Sequence, residues 1–342
     1  RVNKMSIAGK ISSKIPRDYP YLNARVRAKG AQLLERNDYE SLMKMEANGI
    51  ARKLEEGQYG REINELGSIL DGTELVETAL KRNAARTLSD LVEMSPASLS
   101  KTLEVYFRRY DIENIKKILR LKDQNEEFEK VTSPGFKYSE DDLRELFDKD
   151  FSEIISLIEF DGLVEYEEYL EEEMSLQEFE KSIDQAYFDE LRKLAKRTGN
   201  KKLEDFVRTE LEYENLRIVL RLKKYGVGSE EIRERCFHPD STDTVEACTE
   251  AEDFDECMDI LRDSDWNTNG VEELEELEHR LEVSRLEKAL KTLRTSPLGL
   301  APVMAFAVAK MVEVENLRIM VQSKATGIQS EEKIRENLVI AE

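Results

Sequence analysis

Between Asp111 and Lys122 the apolar residues Ile112, Ile115, Ile118 and Leu119 recur three and four positions apart, with Glu113, Lys116 and Arg120 between them. That spacing gathers the apolar groups into one stripe of an α-helix and leaves the charged groups on the opposite face. Few segments of the chain alternate with period two, so strands are not expected.

The same phrase is written three times. Asp111-Ile-Glu-Asn-Ile-Lys-Lys-Ile-Leu-Arg-Leu-Lys122 aligns without gaps to Glu212-Tyr-Glu-Asn-Leu-Arg-Ile-Val-Leu-Arg-Leu-Lys223 and to Glu313-Val-Glu-Asn-Leu-Arg-Ile-Met-Val-Gln-Ser-Lys324. Each copy is displaced by 101 residues from the one before, and the second and third share seven of twelve positions. Unrelated segments of ordinary composition would share about one. The register continues through Gly226-Val-Gly-Ser229-Glu-Glu and Gly327-Ile-Gln-Ser330-Glu-Glu. Asn125 stands where the other copies have Gly226 and Gly327, and asparagine is the next-best residue for the left-handed turn that closes a helix. A unit of this length is domain-sized, within the ~50 to 250 residues that can hold a core, and longer than the ~20 to 50 residues of stacked solenoid repeats. We read an all-α chain of three similar helical modules, residues 1–126 (with an N-terminal extension), 127–227 and 228–342.

Helix-start signals agree. Asn37 with Glu40 and Ser139 with Asp142 have capping-box spacing, and Ser229 and Ser330 each open onto two glutamates that suit the positive end of a helix. Fifteen glycines and seven prolines in 342 residues leave strand and turn punctuation scarce. Residues 1–18 show no clear pattern, and an opening at Arg1 leaves the native start undetermined.

Charge and hydropathy narrow the function classes. The chain carries 73 acidic against 52 basic residues, a net of −21, so nucleic-acid backbones and anionic lipid surfaces would repel most of its surface. The acidic runs Glu165–Glu173 and Glu272–Glu278 read as solvated helix faces, with a docking patch for a basic partner as the alternative. The longest apolar run, Leu298 to Ala309, would make ~18 Å of helix against the ~30 Å of a bilayer core, and it contains Pro302. No membrane-spanning segment is expected, and the run is assigned to the core or to a contact with another protein. The three cysteines form no even disulfide framework.

Several arrangements that suggest chemistry fail on spacing. Cys236, His238, Cys248 and Cys257 are the right residue types for zinc, yet no pair is spaced to pre-form half a shell. Glu276 and His279 make one Glu-x-x-His step where di-iron bundles need two. Asp141, Asp142 and Glu145 resemble half of the aspartate-rich magnesium motif of all-helical isoprenoid synthases without its second half, and read as first-turn acids after Ser139. No Gly-rich phosphate loop is present. With two histidines and no partnered nucleophile, the chain reads as non-catalytic, with no cofactor, metal or nucleotide site. What remains is the repeated Glu-Asn pair: Glu113-Asn114, Glu214-Asn215 and Glu315-Asn316. We assign it a structural role at contacts between helices, with a polar ring offered to a partner as the alternative.

Tyr19-Pro-Tyr-Leu-Asn-Ala-Arg-Val-Arg-Ala28 followed by Leu33-Leu34 resembles the opening of the C subunit of archaeal A-type ATP synthases, a relative of the V-type ATPase d subunit. The three Glu-Asn-Leu-Arg-like phrases and the closing Gly327-Ile-Gln-Ser-Glu-Glu-Lys-Ile-Arg-Glu-Asn-Leu338 do the same. The cysteine and histidine cluster is no part of that resemblance. It implies a funnel of three modules about a pseudo-threefold axis, peripheral on the cytoplasmic face of the membrane, whose partners are the central shaft subunits and the proteolipid rotor ring. The implied role is to pass torque between them for ATP synthesis coupled to proton or sodium transport, with no catalytic residues. Three modules cannot match a ring of differing subunit number by symmetry, so ring contacts would be non-equivalent. Two rivals stand beside it: a helical adaptor binding a basic partner outside any motor, and a magnesium enzyme built on Asp141, Asp142 and Glu145.

Overall fold

A computed structural model describes residues 19–128, 135–155, 174–238, 242–296, 298–327 and 330–341. The acidic run Glu165–Glu173 lies outside the described residues. Among those described there are sixteen helices and no strand. In order they are α1 Tyr19–Gly30, α2 Arg36–Leu42, α3 Ala47–Glu55, α4 Gly60–Leu66, α5 Gly72–Glu93, α6 Ala97–Asp123, α7 Glu140–Phe147, α8 Phe151–Ile155, α9 Leu176–Thr198, α10 Lys201–Lys224, α11 Ser229–Arg235, α12 Asp243–Glu250, α13 Phe254–Arg262, α14 Leu274–Thr295, α15 Ala301–Ala325 and α16 Glu331–Glu336. Long helices come in consecutive pairs, α5 with α6, α9 with α10 and α14 with α15. The repeated phrase falls in the second member each time.

Local chemistry decides where these helices stop. Asn125, Gly226 and Gly327 all have positive φ, 54°, 72° and 81°. The turn lets the N–H of Glu126 donate to the carbonyl of Leu121 at 2.8 Å and that of Val227 to Leu222 at 3.0 Å, satisfying carbonyls that a frayed end would leave open. At the start of α7 the expected box is present. Asp142 N–H donates to Ser139 Oγ at 3.2 Å, and Ser139 N–H donates to Asp142 Oδ2 at 2.7 Å. Ser330 likewise accepts from Lys333 N–H at 3.4 Å.

One expected start, at Asn37, is displaced, and another, at Ser229, is present with the serine inside the helix. Asn37 lies inside α2, whose boundary is Glu35, with its N–H on Asp38 Oδ2 at 2.9 Å; the chain is pinned there because the preceding Leu34 N–H donates to Glu313 Oε2 at 2.6 Å. Ser229 is the first residue of α11 rather than its cap, which is Gly228. Its hydroxyl is engaged instead by Lys223 Nζ at 3.4 Å.

Packing follows a cyclic order. α6 lies against α9, α10 against α14, and α15 against α5, so the second long helix of each pair meets the first long helix of the next, and the third pair meets the first. The buried side chains show the same connectivity. One core joins Ile112, Ile115 and Leu119 of α6 to Phe179, Ile183 and Leu191 of α9. Another joins Leu216 and Leu220 of α10 to Trp266, Leu277 and Leu281. A third joins Val314, Leu317 and Val321 of α15 to Leu42, Ile50, Val76 and Leu80 near the start of the chain. The cores therefore cross the boundaries read from the repeat at 126/127 and 227/228: the second and third each draw on two copies, and the first draws on all three.

In the N-terminal halves of the repeat helices the equivalent positions Val105, Phe206 and Ala307 are all buried in one cluster. The apolar run resolves as core: every residue from Leu300 to Ala309 is buried within the chain, and Pro302 sits in the first turn of α15, where its missing N–H has no helical partner to lose. No helix among the described residues is long and apolar enough to cross a membrane.

Candidate functional site

The repeated Glu-Asn pair splits into two jobs. Asn215 and Asn316 point inward, 0% and 1% exposed, and each grips a backbone twenty-odd residues downstream by two bonds. Asn215 Nδ2 donates to Phe237 O at 2.7 Å and its Oδ1 accepts from Phe237 N–H at 2.8 Å. Asn316 makes the same pair of bonds with Val339, at 2.7 and 2.8 Å. A carboxamide is the one kind of side chain that matches a peptide group donor to acceptor and acceptor to donor. In the first copy Asn114 is also buried, and the returning backbone is held by its neighbour Asp111, whose carboxylate accepts from the N–H groups of Phe136 at 2.8 Å and Lys137 at 3.0 and 3.1 Å. Gly135 makes that approach possible: a Cβ there would lie 2.5 Å from Tyr138 O.

The glutamates each pair with a cation one helical turn on, Glu113 and Glu315 from half-exposed positions and Glu214 from a mostly covered one. Glu113 meets Lys116 at 2.8 Å, Glu214 meets Arg217 at 3.2 Å and Glu315 meets Arg318 at 2.6 Å. The lysine that ends each phrase ties down a further carbonyl in two copies. Lys122 Nζ donates to Phe147 O at 2.6 Å and Lys223 Nζ to Ala251 O. Lysine at this position reads as a surface charge until the fold brings those carbonyls alongside.

Two buried ionic hubs join different copies, and the helical spacing of apolar residues gave no warning of either. Glu210 on α10 accepts from Arg109 Nη1 of α6 at 2.8 Å, from Arg285 Nε and Nη2 of α14 at 2.8 and 2.7 Å, and from the Tyr106 hydroxyl at 2.9 Å. Burial opposes its ionisation, but the two guanidinium groups and the phenol hydrogen bond outweigh burial and hold the carboxyl at about 2. Arg109 reaches on to Glu214 at 2.9 Å, and Arg109, Glu214 and Arg285 line a polar pocket of about 450 Å³ with Tyr213, Arg217 and Glu282. The second hub is Glu313 on α15. It accepts from Leu34 N–H, from Gln58 Nε2 at 2.8 Å, from Tyr59 O–H at 2.6 Å and from Lys310 Nζ at 3.0 Å. Burial pushes the Lys310 ammonium down to about 8 against the pull of Glu313, and the Tyr59 ring lies 3.9 Å from it.

The other candidates are dispersed. Cys236, Cys248 and Cys257 are free, buried thiols within one apolar core, and burial pushes Cys236 up to about 12. His238 turns away from them, its Nε2 2.7 Å from Asp189 Oδ1 and 3.2 Å from Gln185 Nε2. Asp142 is committed to its Ser139 cap and Asp141 stays exposed beside it. His279 is partly buried, which lowers its pKa. Of the acidic run at 272–278, Glu278 is mostly covered and bridges α14 to Arg221 of α10, while Glu273 stays exposed with Lys224 3.8 Å away. Among the described residues no cluster of histidine, cysteine or carboxylate groups is arranged to hold a metal ion.

The polar groups that fold and sequence single out thus bind helix to helix, as in an all-α structural scaffold. The chain belongs to the ATP synthase (C/AC39) subunit family, whose model matches residues 22–337. It is 32% identical over 341 residues to the C subunit of the A-type ATP synthase of Methanococcoides burtonii, covering 94% of each chain. The corresponding subunit of Methanosarcina barkeri is 31% identical, with 94% of this chain and 93% of that one covered, and that of Archaeoglobus fulgidus 30% identical, with 94% and 96% covered. Membership makes it a structural, non-catalytic subunit of an A/V-type ATP synthase.

Proposed function

We propose that this chain is the coupling piece of the rotor: three helical copies about a pseudo-threefold axis, seated on the cytoplasmic face of the membrane rotor ring and receiving the foot of the central shaft, so that torque passes through it. The observation that carries the reading is cyclic closure, in which α15 of the last copy completes a core with α2 to α5 of the first. An open row of modules yields at its ends under load, whereas a closed set of mutually packed helices turns as one body. Buried ionic hubs at the joints add directional restraint. The modules 1–126, 127–227 and 228–342 are then units of sequence duplication that share cores.

Reconstitution tests this. The chain, the shaft subunits of an A-type synthase and its detergent-solubilised rotor ring are expected to form a ternary complex that does not form without the chain. Equal association of shaft and ring in its absence would end the reading.

A further inference from the structure

We propose that Arg109, Glu210 and Arg285 form a lock that sets the angular register of the three long-helix pairs. The inference rests on the coupling role above only for its mechanical consequence. One carboxylate, 2% exposed, receives a guanidinium from a helix of each of the other two pairs, α6 and α14, while sitting on α10 itself. Arg109 and Glu210 occupy equivalent repeat positions 101 residues apart, and the third copy has the apolar Met311 there. The position is therefore differentiated between copies rather than repeated.

Stability alone gives a weak reason for such a cluster, since well-packed apolar side chains hold helices together as well as a buried ion pair. What apolar packing lacks is direction. Two nitrogens of Arg285 address the two oxygens of Glu210, while Arg109 divides between Glu210 and Glu214. Sliding or rotating one helix by about an ångström breaks that forked geometry. Arg109, Glu210 and Arg285 would thus act as positioning residues, fixing how the pairs are set rather than whether they assemble.

The test replaces the cluster with apolar groups, Arg109→Met, Glu210→Leu and Arg285→Met together. Spin labels at the exposed positions 101, 208 and 291 report distances between α6, α10 and α14; the native cysteines are buried. Expected are a cooperative melt at or above the native temperature and distance distributions broadened by roughly twofold. Distributions as narrow as those of the native chain would overturn the lock. If the triple variant does not fold, Glu210→Asp serves, because its shorter carboxylate keeps the charge but cannot span both arginines. It too should broaden the distributions, and narrow ones would overturn the proposal equally. In the reconstituted synthase, broadened variants are expected to hydrolyse ATP with reduced ion pumping. Broad distributions with undiminished pumping would refute the coupling role while leaving the lock standing.

Discussion

Arg109 and Glu210 hold the same place in successive copies of one repeat, and they meet each other across a 2.8 Å ion pair. A duplicated position has diverged into two charges of opposite sign that join the copies carrying them.

Acid should weaken this joint. The carboxyl of Glu210 is held at about 2 against an ordinary value of 4.5, so its contribution is fully present above pH 4.5 and is lost as pH falls towards 2. The shift corresponds to about 3 kcal/mol. Urea midpoints measured from pH 6 down to pH 2 should fall more steeply for the native chain than for Glu210→Gln, and parallel curves would contradict the assignment.

Unequal costs are expected within the Glu-Asn pair. Asn316→Ala strands the N–H and carbonyl of Val339 in a buried site, which should cost about 2 to 4 kcal/mol. Glu113→Ala, at the equivalent glutamate of the first copy, removes a carboxylate that is more than half exposed and leaves Lys116 paired with Asp184 at 2.9 Å, a change of under about 1 kcal/mol. Chemical denaturation of the two variants side by side checks the ordering.

The left-handed helix ends give a cleaner backbone test. No atom lies near a Cβ built on Gly226, so Gly226→Ala adds only conformational strain, about 1 to 2 kcal/mol, while Asn125→Gly should be neutral or slightly stabilising. In thermal melts the first variant should lower the midpoint and the second leave it level or raise it. A lowered midpoint for both would contradict the part assigned to the left-handed turn.

Because Leu300 to Ala309 is buried in the chain itself, its amides should exchange slowly in the isolated protein and no more slowly when the rotor ring is added. Phe306→Ala, which empties a fully buried ring site, should cost about 3 to 5 kcal/mol. A rise in protection on ring binding would place this stretch at an interface instead.

How far such features could be read from the chain depends on the range over which their chemistry acts. Asn125, Gly226 and Gly327 announce helix ends because a left-handed turn is a property of one residue, and Ser139 with Asp142 announces a start because both members of the cap lie within one turn. Asn37 and Glu40 had the same spacing and misled, since α2 is positioned from outside by Glu313 on a helix at the other end of the chain. The burial of Asn215 follows from its neighbours on the apolar stripe, but its partner, the backbone of Phe237, is set only by tertiary placement. Glu210 is harder still: its column in the repeat shows Arg, Glu and Met, and a change of charge across copies was the one available hint. Shared cores were illegible for a related reason, because a period tells where units begin and not which face of one unit covers another.

The closure of α15 onto α2 to α5 has a consequence for biogenesis. Apolar side chains from Leu42 to Ala84 leave the ribosome long before Val314, Leu317 and Val321, which complete their cover. Through most of translation the first-made part of the subunit must wait with a greasy flank open, a clear target for holding chaperones. A message truncated before the last copy would spoil the first-made portion as surely as the missing one.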